Sequence, residues 1–392
     1  MKLSTMLVAA GAAVAAASLS TVGIASASTP SAAPQVRHAA HVCAAPAKGY
    51  AACHAQVVVD GKGQPAATGT PSGLNPADIR SAYALTASSS GGRTVAIVDA
   101  YNDPTAEADL GVYRSQFGLT ACTTANGCFR KVSQTGSTTN LPRTNAGWAT
   151  EISLDLDMVS AACPDCKILL VEATSNSFAN LGTAVNYAAT QAGVVAISNS
   201  YGGGDSAGTS AYNHPGIAVT ASTGDAGYGI ESPASFGTVV AVGGTSLRKA
   251  TNARGWTETV WSGAGSGCST LNAKPAWQTA VTQCSGKANA DVSAVADPNT
   301  GVSVYDSTPY QGASGWQVYG GTSASSPIIA SVYALSGNTA GYPASYTWGH
   351  ASGLNDVTSG SNGTCSPTIW CNATTGWDGP TGLGTPNGTS AF

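Results

Sequence analysis

From about Gly73 onward the apolar positions fall into short unbroken runs separated by longer helical stretches. Thr94-Val95-Ala96-Ile97-Val98-Asp99 is one such run, the pattern of a strand buried on both faces. Ala106 to Phe117 reads as a helix, Trp148 to Ala162 as a second, and Lys167 to Val171 as the strand that follows. Phe178 to Ala192 (helix) and Gly193 to Ser198 (strand) repeat the alternation. Ile217 to Ala221 and Val239 to Val242 are further strands, and Ser323 to Leu335 is a further helix. Strands alternating with helices predict an α/β fold whose mainly parallel sheet carries helices on both faces. Residues 73–392 fit one such domain.

The region before it differs. Lys2 and the apolar stretch Met6 to Leu19, followed by Ala25-Ser26-Ala27, match a secretory signal over residues 1–27. The run is short for a membrane anchor, the competing reading. Residues 28–72 lack apolar periodicity and hold three of the five histidines, His38, His41 and His54. They read as a short pro-region or N-terminal extension.

Composition sharpens this picture. Only 9% of the residues are charged, and the net charge is −4, well below the charge density of an average domain. Nothing here suits nucleic acid or an anionic membrane, and the chain is expected to be a secreted monomer. An uncharged polar surface also gains little charge when carboxylates protonate, so it tolerates acid. The ten cysteines form five sequence-near pairs: 43/53, 122/128, 163/166, 268/284 and 365/371. In an exported chain they read as five local disulfides. A zinc or redox site at Cys163-Pro164-Asp165-Cys166 is the rival, without nearby histidines to complete it.

Gly320-Gly321-Thr322-Ser323-Ala324-Ser325-Ser326-Pro327 precedes an apolar helical run. A serine there has an exposed hydroxyl beside backbone N–H groups able to hold an oxyanion, although a plain helix cap is the commoner use. No histidine lies in a His-Gly-Thr segment, so a base must be sought elsewhere. Glu151 and Asp155 stand i to i+4 on an otherwise apolar helix, one turn apart. Partial burial and mutual repulsion would raise one pKa and couple the pair, which suits acid–base work below neutral pH. Asp157 points elsewhere, to solvent or a local hydrogen bond. Asp225, in Ser222-Thr223-Gly224-Asp225-Ala226-Gly227, follows a strand at the end where open α/β sheets place ligands; alone it would pass for a turn residue.

Taken together, Glu151-x-x-x-Asp155, Ser198-Asn199-Ser200-Tyr201-Gly202, Gly224-Asp225-Ala226-Gly227, Asp291 to Pro298 and Gly321-Thr322-Ser323-Ala324-Ser325 resemble the sedolisin family of serine-carboxyl peptidases. The resemblance implies a subtilisin-like fold with a mainly parallel seven-stranded sheet. It implies Ser323 as nucleophile, Glu151 as base, Asp155 as the group that orients Glu151, and Asp225 as a protonated oxyanion donor. The substrate implied is a peptide or protein, cut in acid. Asp356-Val357 and Thr374-x-Gly376-x-Asp378 resemble the family's calcium loop: two carboxylates and the carbonyls of Val357, Thr374 and Gly376 would bind Ca²⁺. Two features depart from the family. Only about 45 residues separate signal and domain, where most members carry a long inhibitory propeptide, and Tyr201 stands where Trp is common. The short extension leaves a second reading, a catalytically silent binding or surface protein. A neutral, histidine-dependent peptidase is a third.

Overall fold

In a computed structural model of the chain, residues 1–7, 9 and 38–392 are described. Most of the expected signal, Ala25-Ser26-Ala27 included, lies outside them. The chain divides into two compact units, Met1–Val36 and Arg37–Phe392, and every element below belongs to the second. Among the described residues no helix is long and apolar enough to cross a membrane.

Thr94–Ala100 is the buried centre of the main sheet. Lys167–Ala173 pairs parallel to it on one side, in register from Thr94↔Lys167 to Ala100↔Ala173, and Val194–Asn199 on the other. Outward from these lie Phe129–Ser133 at one edge, then Ala218–Ser222, Val240–Lys249 and Trp256–Val260 toward the other. Val292–Val295 also pairs with Val240–Lys249, which makes eight strands rather than seven. Every pairing is parallel except the one with Trp256–Val260. Unbroken apolar runs become these strands because helices cover them.

The departures from expectation have simple causes. Phe129–Ser133 has one neighbour and an exposed Arg130, so its composition hides an edge strand. Val240–Lys249 outruns its apolar stretch at Gly243-Gly244 because new partners, Val292–Val295 and then Trp256–Val260, take up its backbone. The Phe178 helix stops at Ala189, in a turn that leads to Gly193 at positive φ. The five neighbouring cysteine pairs are the five disulfides, and no described cysteine is free.

Two helices set up the site. Ala146–Ala162 packs on Thr322–Ser336, which in turn lies on the Val194–Asn199 and Ala218–Ser222 strands. The segment before Gly73 joins the same unit. His38–His41 pairs with Gln56–Val59, which pairs with Ala313–Gly320 beside Val302–Tyr310. Between them Ala52–Cys53 pairs with Tyr201–Gly204.

Asp291, which opens one of the shared motifs, has a structural task. Fully buried, it pairs with buried Lys287 and accepts from Ala241 N (2.8 Å), Gln278 Nε2 (3.0 Å) and Trp348 Nε1 (2.9 Å). Asp291→Ala would strand the ammonium and three donors, and should cost about 3–5 kcal/mol of unfolding free energy. Urea titration checks this, with Asp291→Asn expected to lose less.

Candidate active site

Asn145 caps the Ala146–Ala162 helix, its side chain accepting from Trp148 N at 3.1 Å. From Trp148 onward every residue of that helix is buried, so Glu151 and Asp155 are both wholly enclosed, more completely than their spacing implied. Ala55 N donates to Glu151 Oε2 at 2.8 Å, and Ser200 Oγ to Asp155 Oδ1 at 2.8 Å. Glu151 Oε1 and Asp155 Oδ2 have no hydrogen-bond partner. Burial, and then the field of Asp99, holds both carboxyls well above the usual range. Asp99 is itself buried with neither oxygen bonded, and is pushed up to about 8 by burial and by Glu172. Three enclosed carboxyls therefore titrate as one group.

Ser323 stands in the first turn of Thr322–Ser336, after Gly321 at φ 96°. Pro327 lies four residues on and has no N–H, which leaves the Ser323 carbonyl without its helical partner. Ser200 Oγ takes that place, at 3.3 Å. Ser200 thus touches both the acid helix and the serine helix. Ser323 Oγ donates to the Ser200 carbonyl at 3.2 Å, and its hydroxyl also favours the charged form of Glu151. The expectation of an exposed hydroxyl fails: Ser323 is fully buried, because residues 53–56 cross the site.

Asp225 follows the Ala218–Ser222 strand. Its Oδ1 accepts from Thr322 N and Oγ1, both at 2.8 Å, and its Oδ2 from Gln56 Nε2 at 3.2 Å. Burial raises its pKa, against opposing pulls from His54 and Thr322. A Cβ on Gly321 would overlap the His54 carbonyl oxygen and come 2.6 Å from Asp225 Oδ2, so that carbonyl and the Asp225 carboxyl share one notch. This is where an oxyanion would be held by a neutral carboxylic acid.

The sequence reading missed Asp99, Ser222, Glu231 and His54 as members of this cluster. His54 Nδ1 lies 2.7 Å from Ser222 Oγ and Nε2 lies 3.0 Å from Glu231 Oε2, so the ring is turned to those residues and is not bonded to Ser323. Asp99 carried a signal, as an acid near the C-terminal end of an apolar strand. His54 and Glu231 carried none, lying in segments without periodicity. Asp157 is buried and accepts from Tyr305 N of the Val302–Tyr310 strand at 3.0 Å, a long-range bond and neither the solvent nor the local partner expected. In the expected calcium set, Asp356 Oδ2 accepts from Gly376 N at 2.9 Å and Asp378 Oδ2 from Thr374 N at 3.3 Å. Both carboxylates thus meet the loop that carries Thr374 and Gly376. Val357 is buried beside Asp356. No group of three His, Cys, Asp or Glu suited to a metal occurs among the described residues.

Comparison with known proteins gives a consistent picture. The subtilase family profile matches residues 136–357. Sedolisin of Pseudomonas sp. (strain 101) is 35% identical over 176 residues, covering 40% of this chain and 29% of that protein. Kumamolisin of Bacillus sp. (strain MN-32) is 29% identical over 364 residues, covering 81% and 63%. The solved structure of Pseudomonas sedolisin, a serine-carboxyl proteinase complexed with two molecules of pseudo-iodotyrostatin, matches with a TM-score of 0.65 at 26% identity, over 81% of this chain and 96% of that one. The chain spans less than two thirds of the length of these two curated relatives. It belongs to the subtilase family, with that family's α/β fold. Within that class it is a member of the sedolisin family.

The buried acids make folding take up protons. Asp99 and Glu172 rise to about 8, Asp306 to about 7 and Asp103 to about 6, each mainly through burial. The unfolded chain ionises these groups near pH 4. Their contribution is therefore complete below that pH and is lost as pH rises through 6 to 8. The Ser323→Ala protein, which cannot digest itself through this serine, should be more stable at pH 5 than at pH 8 by at least about 2 kcal/mol. Chemical denaturation at the two pH values measures the difference; greater stability at pH 8 would contradict it.

Proposed function

We infer that the protein is a secreted endopeptidase that cuts peptide bonds in acid, with Ser323 as nucleophile, Glu151 as base, Asp155 orienting Glu151 and Asp225 stabilising the oxyanion. The observation that carries this reading is Glu151 Oε1, a buried acceptor with no partner, on a carboxyl that Ser323 faces. Ser323 Oγ turns from the Ser200 carbonyl, gives its proton to Glu151 and attacks the substrate carbonyl. Asp155 and Asp99 keep negative charge scarce around Glu151, so the proton it gains can pass on to the leaving nitrogen. Asp225 donates from Oδ2 while protonated; ionised, it would repel the oxyanion.

Export fits five disulfides, which persist in oxidising compartments. The part of residues 28–72 that ends by covering Ser323 serves as the pro-region. Asp356 and Asp378, with the carbonyls of Val357, Thr374 and Gly376, form a calcium site of structural character. The convergence of two carboxylates on one loop fits such an ion. The ion would fix the loop and takes no part in the steps above. The silent-protein alternative has one observation in its favour, the covering of Ser323, and the assays below decide between the two.

Ser323→Ala should lower hydrolysis of a denatured protein by several orders of magnitude with the fold retained. Wild-type activity should peak at roughly pH 3–5, falling at higher pH as Asp225 ionises and at lower pH as the Glu151 cluster loses the one carboxylate that accepts the Ser323 proton. Asp225→Asn, a donor that cannot ionise, should shift the remaining activity to higher pH at a lower rate. Activity rising steadily from pH 4 to 8, or equal in wild type and Ser323→Ala, would overturn this reading. Calcium should raise the melting temperature of wild type and leave that of Asp378→Ala unmoved.

A further inference from the structure

The covering segment lies in the cleft with a definite direction and register. Ala52 and Cys53 pair antiparallel with Gly202 and Tyr201, and His54 N donates to the Ser200 carbonyl at 3.2 Å. On the far side Gln56 and Val57 pair antiparallel with Gly320 and Tyr319. Extended backbone is therefore gripped on both sides of one peptide bond, as strand addition grips a peptide. That bond joins His54 to Ala55. Its carbonyl oxygen fills the notch over Gly321 beside Asp225. Its N–H donates to Glu151 Oε2 at 2.8 Å, the carboxyl that has to protonate a leaving nitrogen.

The side chain on the acyl side also has a built pocket. The His54 ring is enclosed between Ser222 Oγ and Glu231 Oε2. Gly202 forms a wall: a Cβ there would come 2.6 Å from both Glu231 Oε2 and His54 Cε1. Burial alone would lower the ring's pKa, but the charge and hydrogen bond of Glu231, with a smaller contribution from Asp225, hold the imidazole above its ordinary value. Glu231 in turn is held below its usual range, against burial, by the charge and hydrogen bond of His54.

We propose that His54–Ala55 is a self-cleavage site, bound as the first substrate of this cleft, and that Glu231 with Ser222 makes the site select a cationic side chain on the acyl side of the cut bond. The proposal rests on the peptidase reading above. Ser323 Oγ attacks the His54 carbonyl carbon and its proton passes to Glu151. The C–N bond breaks as the Ala55 nitrogen takes that proton. Water then hydrolyses the ester, leaving a carboxyl group on His54, an amine on Ala55 and Ser323 restored. Cys43–Cys53 closes wholly within the released piece, so no disulfide ties it to the chain that begins at Ala55. Its departure clears the acyl side of the cleft, while Gln56 and Val57 stay paired with Gly320 and Tyr319. A cavity of about 590 Å³ lies between the segment, which supplies most of its lining (His41, Cys43 and His54 among it), and Asp225, Glu231 and Tyr310.

The full chain is produced as wild type and as Ser323→Ala, incubated at pH 4, and read by intact mass and N-terminal sequencing. The wild type should give an N-terminus at Ala55 and a fragment that ends at His54 with its disulfide intact; Ser323→Ala should stay joined there. A wild type left joined at 54–55 while it digests a denatured protein, or a Ser323→Ala chain cut at that bond, overturns self-cleavage. Peptides spanning residues 50–57, with Ser for Cys53 and His, Arg, Leu or Glu at position 54, test the pocket. At pH 4 the His and Arg peptides should exceed Leu and Glu by at least about ten-fold in kcat/KM, and Glu231→Gln should collapse that ratio. Cleavage of all four at similar rates overturns the selection alone. Failure to cut any peptide or denatured protein at any pH overturns the peptidase reading, and this proposal with it.

Discussion

A carboxyl enclosed in a packed helix must be neutral, hydrogen-bonded or balanced by a partner, and Glu151 meets that demand only in part. One oxygen accepts from Ala55 N and the other accepts from nothing. The helix that carries it is buried on every side, so water cannot supply what is missing. Asp155 and Asp99 share the problem, since each also keeps an oxygen without a donor. The cheapest state of the cluster is one that holds protons, and that state belongs to acid. The cluster's hold on its protons thus comes from one physical source, the burial of more carboxyls than the interior can satisfy.

The rest of the structure holds that cluster against the serine. Ser200 is the joint: its hydroxyl reaches Asp155 on one helix and the Ser323 carbonyl on the other. The second contact exists because Pro327 removes the N–H that would otherwise occupy that carbonyl. Asp225 performs the same service from the sheet side by binding Thr322 through both backbone and side chain. The serine is consequently placed by three elements, the acid helix, the Tyr201 strand region and the loop after Ala218–Ser222. None of them alone would fix its position.

A low surface charge complements this interior. With 36 charged residues, 16 basic and 20 acidic, the chain has few exposed carboxylates whose protonation would drive it apart in acid. Several acids it does carry are inside, where they gain protons on folding.

Much of this was legible in the order of residues. Unbroken apolar runs marked the central strands because a parallel sheet buried on both faces leaves no room for alternation. The i, i+4 spacing of Glu151 and Asp155 placed both on one helix face, since helical geometry is local. Neighbouring cysteines found one another for the same reason: short loops close at little entropic cost. Other features were decided only when distant segments met. Phe129–Ser133 is a strand because Lys167–Ala173 offers it an edge. Asp99 joins the acids because its strand ends beside their helix. The stretch around His54 shows no periodicity at all; its conformation is imposed by Tyr201–Gly204 on one side and Ala313–Gly320 on the other. Local spacing can announce which residues are able to do chemistry, but the burial, the missing hydrogen bonds and the segment lying across Ser323 are properties of contacts between elements far apart in the chain, and only the tertiary structure supplies those.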